Sequence, residues 1–320
     1  MKENLLKNSY VSAFETTDDV IRDLIIINTK SLVDDKEEHR VYIDENRLKA
    51  ELKYYNYYGN RIVESNLLGT LLPVALSNKD VSKAVQESID LITKLVSYFK
   101  INEKLYDYIL ASVTYVTMVS KILGNKDIEY GELLQKMKES VIELELDVTR
   151  KDVVKFQMSR ISLIKLIDDY IDLRVSEYAD GIMQGLLDVV YDVYIEDRTT
   201  VEDGEYHSGN TMRDEGLNSI KKSILSLLGE EPNRESIDNY NFLDNMSDYV
   251  YKLRNYSIAM KPFCKDVDPR YIISLNVGDS AQDPVLNKLK VLTKVLTDNI
   301  LSVEITCKSG TYVLKFRKTT

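Results

Sequence analysis

Histidine and cysteine are almost missing from this chain of 320 residues, which holds only His39, His207, Cys264 and Cys307. Two cysteines are too few for a thiolate-rich zinc site, and we expect both to be reduced thiols. Both histidines stand in polar or charged stretches, which is typical of solvated surface histidines. Catalysis by a Ser-His-Asp or Cys-His arrangement is therefore not expected.

Glycine, proline and tryptophan are also scarce, at 12, 5 and 0 residues. So few glycines and prolines disfavour glycine-rich sandwiches and collagen-like repeats. Basic residues are outnumbered as well, since 42 lysines and arginines face 52 aspartates and glutamates, for a net charge of −10. An acidic surface repels phosphate backbones and anionic lipids, so we expect no binding to nucleic acid or to membranes without a local basic patch.

Long apolar runs are missing too. The uncharged stretch 108–120 is too short to span a bilayer. Residues 1–4 carry mixed charge and are not followed by the apolar run and cleavage site of a secretory signal. These features predict a soluble, cytoplasmic protein.

The pattern that the sequence does contain is helical periodicity. Val85, Ile89, Ile92, Val96 and Phe99 recur at spacings of four and three, which forms one apolar stripe along a helix. Helices are predicted over 18–29, 67–76, 82–99, 105–122, 153–173, 182–194, 217–228, 237–256 and 285–300. Pro73 is expected to bend or interrupt the helix over 67–76, because its nitrogen has no hydrogen to donate one turn back.

Near the C-terminal end, alternation with a period of two replaces the helical pattern. Apolar and polar residues alternate over 303–307 and 312–316, on either side of a turn at 308–310, which predicts a β-hairpin. A short strand over 271–275 could pair with this hairpin. The predicted fold class is mainly α, a helical bundle-like body with a small C-terminal β-hairpin. Residues 197–216 are interpreted as a polar linker between a helical domain, 1–196, and a smaller region, 217–320, that could pack with it as one domain.

Because histidine and cysteine are nearly absent, carboxylates are the candidate catalytic groups in this chain. They would act together with a hard cation such as Mg²⁺, which prefers oxygen ligands. Three acidic clusters have a suitable spacing, at 16–19, 168–172 and 278–283. In the first cluster, Thr17 or Asp18 could instead be a helix cap. In the second, Asp168 and Asp172 would share one helix face.

The second cluster, taken with Asp18, Asp19 and Asp23, resembles the paired aspartate-rich motifs of isoprenyl-diphosphate synthases. That resemblance implies a diphosphate-handling enzyme that uses the carboxylates of the second cluster, namely Asp168, Asp169 and Asp172.

A different resemblance joins the first and third clusters. The segments 17–19, 58–60, 68–73 and 278–280 follow the ordered landmarks of ADP-ribosylglycohydrolases, which are all-helical, Mg²⁺-dependent enzymes. The resemblance implies a metal site and a ligand site. The implied metal ligands are Thr17, Asp18, Asp19, Asp279 and Asp283, and the implied ligand-binding residues are Gly59, Asn60 and Ser280. The opening helix motif of that family is absent here, and Val20 replaces a second threonine, so we expect a diverged relative.

Two functions from different classes therefore remain open. The first is a diverged ADP-ribosylglycohydrolase-like protein, active or inactive, that binds a nucleotide-sugar ligand through Mg²⁺-coordinating aspartates. The second is a non-enzymatic interaction or assembly protein without a cofactor, which contacts a protein partner or a second copy of itself through the tyrosine-rich stretch 54–58 or the C-terminal hairpin. The first function requires Asp18, Asp19 and Asp279 to converge around ions roughly 3.5–4 Å apart.

Overall fold

A computed structural model describes residues 2–60, 62–175, 181–196, 214–259 and 261–317 of the chain. The helices in these ranges are α1 (Lys2–Ser12), α2 (Asp19–Ser31), α3 (Glu45–Tyr58), α4 (Leu72–Ser77), α5 (Val81–Phe99), α6 (Leu105–Gly124), α7 (Tyr130–Glu143), α8 (Val153–Ile171), α9 (Ile182–Tyr191), α10 (Glu215–Leu228) and α11 (Tyr240–Arg254). The strands are β1 (Leu32–Asp35), β2 (Arg40–Ile43), β3 (Ser280–Asp283), β4 (Asn287–Thr297), β5 (Ile300–Cys307) and β6 (Gly310–Arg317). The prediction of a mainly α fold is confirmed, since most of these elements are helices.

Helix α6 runs through the middle of the helical body. Residues 108–119 are buried without a break, and helices α5, α7, α8, α9 and α10 all contact α6. A helix that is apolar on every side has to lie in the core, which explains why this stretch has no charged residue. Within the described ranges, no helix combines the length and the apolar character needed to cross a membrane.

The C-terminal sheet is larger than the small hairpin that was predicted. It has four antiparallel strands in the order β3-β4-β5-β6, and the predicted hairpin is its β5–β6 pair. The helix predicted over 285–300 is wrong, because most of this range is strand β4. The spacing of the apolar residues in 285–300 is compatible with a helix as well as with a strand. The valines and threonines of this range favour a strand, and the pairing with β5 completes one.

Two shorter predictions are corrected as well. Residues 271–275 are not a strand, because 271–274 belong to a 3₁₀ helix, Pro269–Ser274, and Leu275 is its C-cap. Asp268 caps this turn by accepting a hydrogen bond from the Arg270 amide, and Pro269 supplies a helical φ at its start. The helix predicted over 67–76 is a 3₁₀ turn, Leu67–Leu71, followed by α4. Pro73 lies in the first turn of α4, where a missing N–H costs nothing.

Buried apolar residues form two separate cores that share helix α3. The larger core belongs to the helical body and includes α10 and α11. The smaller core lies under the sheet, where Val291, Val303 and Leu314 pack on residues of α3. Leu48 and Tyr55 of α3 face the first core, whereas Tyr54 faces the second. The prediction of a linker at 197–216 stays a prediction, because residues 197–213 lie outside the described ranges.

Candidate functional site

The first acidic cluster surrounds the N-terminus of α2. Asp18 Oδ1 accepts hydrogen bonds from the amides of Val20 at 2.7 Å and Ile21 at 3.2 Å, and the Ser65 hydroxyl donates to Asp18 Oδ2. Asp18 is therefore the N-cap of this helix. The Thr17 amide donates to the Glu215 carboxylate at 2.8 Å, which ties the cluster to α10.

Gly59 and Asn60 follow the end of α3 and contact Tyr55. The Gly59 amide donates to the Tyr55 carbonyl at 2.7 Å and ends α3, and the Tyr55 hydroxyl donates to the Asn60 carbonyl at 3.1 Å. Ser65, which follows Asn60 by five residues, donates its hydroxyl to Asp18. The shared site of the first cluster with Gly59 and Asn60 stays a prediction.

The third cluster belongs to the sheet. Asp279 is exposed and accepts a hydrogen bond from the Asn276 amide at 2.7 Å, and Ser280 is the exposed first residue of β3. Asp283 is only 1% exposed. Its carboxylate accepts hydrogen bonds from the hydroxyls of Tyr54 and Tyr271 and from the amides of Val285 and Leu286. These four donors engage both oxygens of Asp283.

No group of three or more His, Cys, Asp or Glu that could hold a metal ion is found in the described part of the chain. Asp19 is exposed and lies 3.7 Å from an Arg22 nitrogen. In the second cluster, Asp168 pairs with Lys138 at 2.6 Å, and Asp169 and Asp172 both pair with Arg174. The two metal hypotheses stay predictions.

The tyrosines of 54–58 join the helical body to the sheet. Tyr54 and Tyr55 are fully buried. The ring of Tyr57 lies 4.9 Å from that of Phe316, and the ring of Tyr58 lies 4.5 Å from that of Tyr312, both on β6. The tyrosine-rich stretch therefore packs inward rather than forming an open contact surface.

Asp23 of α2 lies beside the tyrosines of this joint, since its charge raises the pKa of Tyr55, Tyr58 and Tyr312. We call this group, Asp23 with Tyr55, Tyr58 and Tyr312, the tyrosine cluster. Asp23, Tyr58 and Tyr312 are partly buried. Tyr55 is the buried end of the group, with its ring 5.3 Å from that of Tyr58.

Within the described ranges, two polar side chains of the tyrosine cluster have no hydrogen-bond partner. Among the described residues, the Asp23 carboxylate has no hydrogen bond or ion pair, and the Tyr58 hydroxyl has no hydrogen bond. Burial raises the pKa of Asp23 to about 7, and the charges of Asp19 and Asp18 add to the rise, whereas Arg22 and Lys30 oppose it. Burial and then the Asp23 charge raise the pKa of Tyr58 well above its ordinary value.

Nearby cations are engaged elsewhere. The Glu51 carboxylate forms ion pairs with Lys30, at 2.7 Å, and with Arg47, at 2.5 Å. Arg22 divides its guanidinium between Asp19 and Asp238. The carboxylate of Asp23 is thus partly exposed and has no direct contact with a cation among the described residues.

The outer face of the C-terminal sheet is a second candidate site. The register places Lys288, Lys290, Lys315 and Arg317 on the face that points away from the small core, and all four are exposed. Glu304 is the acidic residue of this face and accepts a hydrogen bond from Thr293 at 2.9 Å. We call this the basic sheet face. It escaped sequence analysis because 285–300 was interpreted as a helix, which hides the alternation of its lysines.

Comparisons of the chain with protein-family models, with curated proteins and with solved structures gave no match in any of the three.

Proposed function

We propose that this chain is a non-enzymatic interaction protein whose basic sheet face docks on an acidic surface of a partner protein. The observation that carries the proposal is the concentration of exposed Lys288, Lys290, Lys315 and Arg317 on one sheet face of a chain with a net charge of −10. Opposite potentials steer association and set the register of two surfaces.

Apolar side chains on the same face add to the docking surface. Val295, Ile300 and Val313 are 54%, 39% and 44% exposed and lie on the same side as Lys315. A typical interface combines a desolvated apolar centre with a charged rim, and this face offers both.

A protein partner fits this face better than a nucleic acid does. Sheets that bind single-stranded nucleic acid stack bases on aromatic side chains. The aromatic residues of the described sheet, Tyr312 and Phe316, point inward to α3. The outer face offers threonine, valine and isoleucine beside its lysines.

A charge-reversal pair of variants tests the proposal. In one variant, Lys288, Lys290 and Lys315 are replaced by Glu. In the matched control, the exposed Lys49, Lys151 and Lys165 of the helical body are replaced by Glu. Tagged wild type, variant and control are used to capture partners from an extract of the cells that make the chain. We expect a partner that wild type and control retain, that the sheet variant loses, and that rising salt releases.

Two outcomes contradict the proposal. One is capture of the same proteins by all three forms of the chain, because the sheet face would then contribute nothing. The other is a captured complex that nuclease treatment disperses, because the basic face would then bind nucleic acid.

Thermal unfolding tests the nucleotide-sugar hypothesis, which stays a prediction beside this proposal. A ligand at about 100 times its Kd stabilises a protein by about 2.7 kcal/mol. If Mg²⁺ and ADP-ribose bind through Asp18, they should raise the melting temperature of wild type but not of Asp18→Asn, which keeps the helix cap and loses the charge. An interaction protein gives no shift in either form.

A further inference from the structure

Residues 144–148, which follow helix α7, form an extended segment. Its first residue has extended dihedral angles, φ −62° and ψ 116°. Its apolar residues, Leu144, Leu146 and Val148, are half-buried against the larger core, and the two acidic residues between them, Glu145 and Asp147, are exposed. This alternation is that of a β-strand with one face on a core. Among the described residues, no backbone amide or carbonyl of 144–148 has a hydrogen-bond partner, so the backbone of the segment is available for pairing.

An open groove lies beside the extended segment. It has a volume of about 510 Å³, and all five residues of 144–148 line one of its sides. The other side is formed by α8, with Val153, Phe156, Gln157 and Arg160. Successive side chains of an extended segment point to opposite faces, so a groove that five consecutive residues line follows the backbone. We call this space the α8 groove.

We propose that the α8 groove binds an extended peptide of a partner protein, which pairs with 144–148 as an added β-strand and carries alternating basic and apolar side chains. Main-chain hydrogen bonds supply the affinity of such a contact, and alternate side chains supply its specificity. The apolar side chains of the peptide contact Val153 and Phe156, and its basic side chains lie beside Glu145 and Asp147. This site belongs to the helical body and does not depend on the basic sheet face.

The charges at the α8 groove favour a basic peptide. Glu145 and Asp147 are exposed and form no ion pair with a described residue. Among the described residues that line the groove, the cation is Arg160, and its guanidinium donates to the Ile142 carbonyl. Opposite charges on neighbouring positions of two paired strands stabilise the pairing, and like charges destabilise it. A basic side chain therefore matches the acidic edge of the groove.

The same rule disfavours a second copy of this chain as the occupant. Antiparallel pairing of two 144–148 segments about Leu146 sets Glu145 of one copy opposite Asp147 of the other. This arrangement repeats on both sides of the centre, so the two copies repel each other. The matching peptide has a different sequence.

Exposed apolar residues of α8 enlarge the surface beside the groove. Val154, Met158 and Ile161 are 67%, 67% and 65% exposed. Val154 and Ile161 are neighbours of the groove residue Gln157 on the helix surface, at spacings of three and four. Contiguous exposed apolar residues mark interaction sites, whereas isolated ones are ordinary. Residues that flank the bound peptide in the partner protein cover this stripe.

Fluorescence anisotropy with labelled peptides tests the proposal on the full chain. The probes are capped octapeptides in which lysine alternates with valine or with leucine. The comparison peptides are a block of four lysines followed by four valines, and an alternating peptide with glutamate in place of lysine. We expect at least one alternating basic peptide to bind with a Kd of roughly 0.1 mM or tighter at low salt, and at least about fivefold more tightly than the block peptide.

Exchange of charge shows where the peptide binds. One variant combines Glu145→Lys with Asp147→Lys. The matched control combines Glu230→Lys with Glu231→Lys, which are equally exposed and change the net charge by the same amount. We expect the first variant to bind the lysine peptide about tenfold more weakly than wild type and the glutamate peptide more tightly, whereas the control changes both affinities less than about threefold.

Methylation of peptide amides tests the strand pairing itself. Two forms of the lysine–valine peptide are methylated on the nitrogens of all lysines or of all valines, which blocks one edge of the strand in each form. A strand added to 144–148 pairs through one of these edges, so one of the two forms should bind about tenfold more weakly or worse. With the unmodified peptide bound, the amides of 144–148 should gain protection from hydrogen exchange.

Three results overturn the proposal. The first is the absence of binding by both alternating basic peptides at about 1 mM protein. The second is equal affinity of the charge-exchange variant and its control for the lysine peptide. The third is full binding by both methylated forms, because the contact then involves charge without strand pairing. Circular dichroism of each variant shows that a lost signal does not arise from unfolding.

Discussion

At the scale of single residues, the carboxylate of Asp283 connects parts of the chain that are far apart in sequence. It lies at the end of β3 and receives hydroxyls from Tyr54 on α3 and Tyr271 on the 3₁₀ helix. It also fixes the turn into β4 through the amides of Val285 and Leu286. A buried carboxylate with four donors is stabilising only as long as all of them remain.

Replacing Asp283 should therefore cost much more than replacing Asp279. Asp283→Ala leaves two hydroxyls and two amides without an acceptor, and we expect it to lower the free energy of unfolding by roughly 3–5 kcal/mol. Asp279→Ala removes one exposed acceptor and should cost less than about 1 kcal/mol. Urea unfolding of both variants measures the difference, and equal losses would show that the network of Asp283 is not needed for the sheet.

Asp23 has the opposite effect on stability, because its charge is disfavoured in the folded chain. Its folded pKa of about 7 lies above the ordinary value of 3.8, so between these values the folded state binds more protons than the unfolded state. The free energy of unfolding then falls as the pH rises through this window. The groups that face Asp23 are the charged Asp18, Asp19, Arg22 and Lys30 and the tyrosines of the tyrosine cluster.

Asp23→Asn should consequently stabilise the chain at high pH and leave it unchanged at low pH. We expect a gain of up to about 4 kcal/mol at pH 8, reduced because the Asp23 side chain is partly exposed to solvent. The gain should shrink towards zero near pH 4. Asp188, whose pKa burial raises to about 6, titrates identically in both forms and cancels in the comparison. Chemical unfolding of wild type and variant across this pH range measures the difference in their free energies of unfolding. A difference that does not change with pH would contradict the raised pKa of Asp23.

At the scale of elements, the start of α2 depends on one side chain. Asp18 caps the helix with its carboxylate, and Asn and Ser can do the same, whereas Ala cannot. Asp18→Ala should lower the free energy of unfolding by about 1–2 kcal/mol, and Asp18→Asn by only a few tenths. Thermal unfolding distinguishes the two, and equal losses would mean that charge rather than capping is what Asp18 contributes.

Prediction from sequence was correct for elements whose apolar residues follow either the helical or the strand period, but not both. The stripe from Val85 to Phe99 can bury one face only as a helix, and α5 runs from Val81 to Phe99. The same reasoning found the β5–β6 hairpin, because Gly310 and the preceding turn leave no room for a helix. It failed over 285–300, where the pairing of β4 with both neighbours decides the conformation.

The candidate sites were harder to predict for a related reason. The grouping of Asp18 with Gly59 and Asn60 in one site stays a prediction, and the contact that the structure shows for Asp18 comes from Ser65, which no sequence motif singled out. The contact of Tyr312 with Tyr58 could not be predicted, because it depends on the packing of β6 on α3. The basic sheet face depends on the strand register, which becomes visible only when β4 is known to be a strand.

At the scale of the whole molecule, one face of helix α3 packs in the larger core and another face packs in the smaller core. Leu48 and Tyr55 pack in the helical body, and Tyr54 packs under the sheet. The second core is small, so the sheet should open more readily than the helical body and do so as a unit.

Hydrogen exchange of the native chain measures this difference. Phe316→Ala removes a large side chain of the smaller core, and we expect the amides of β4, β5 and β6 to lose protection while those of α5 and α6 keep it. Leu95→Ala in the larger core is the control, and it should lower protection in both parts, because the sheet rests on α3. Equal losses everywhere in Phe316→Ala would show a single cooperative unit.

The sharing of α3 also has a consequence for the growing chain on the ribosome. Tyr54 is synthesised 229 residues before its partner Asp283. At about 5–20 residues per second, its side of α3 remains uncovered for roughly 10–45 s while the rest of the helical body can already form. A nascent chain in this interval presents an unsealed apolar groove, which is the kind of surface that holdase chaperones recognise, until translation of the sheet closes it.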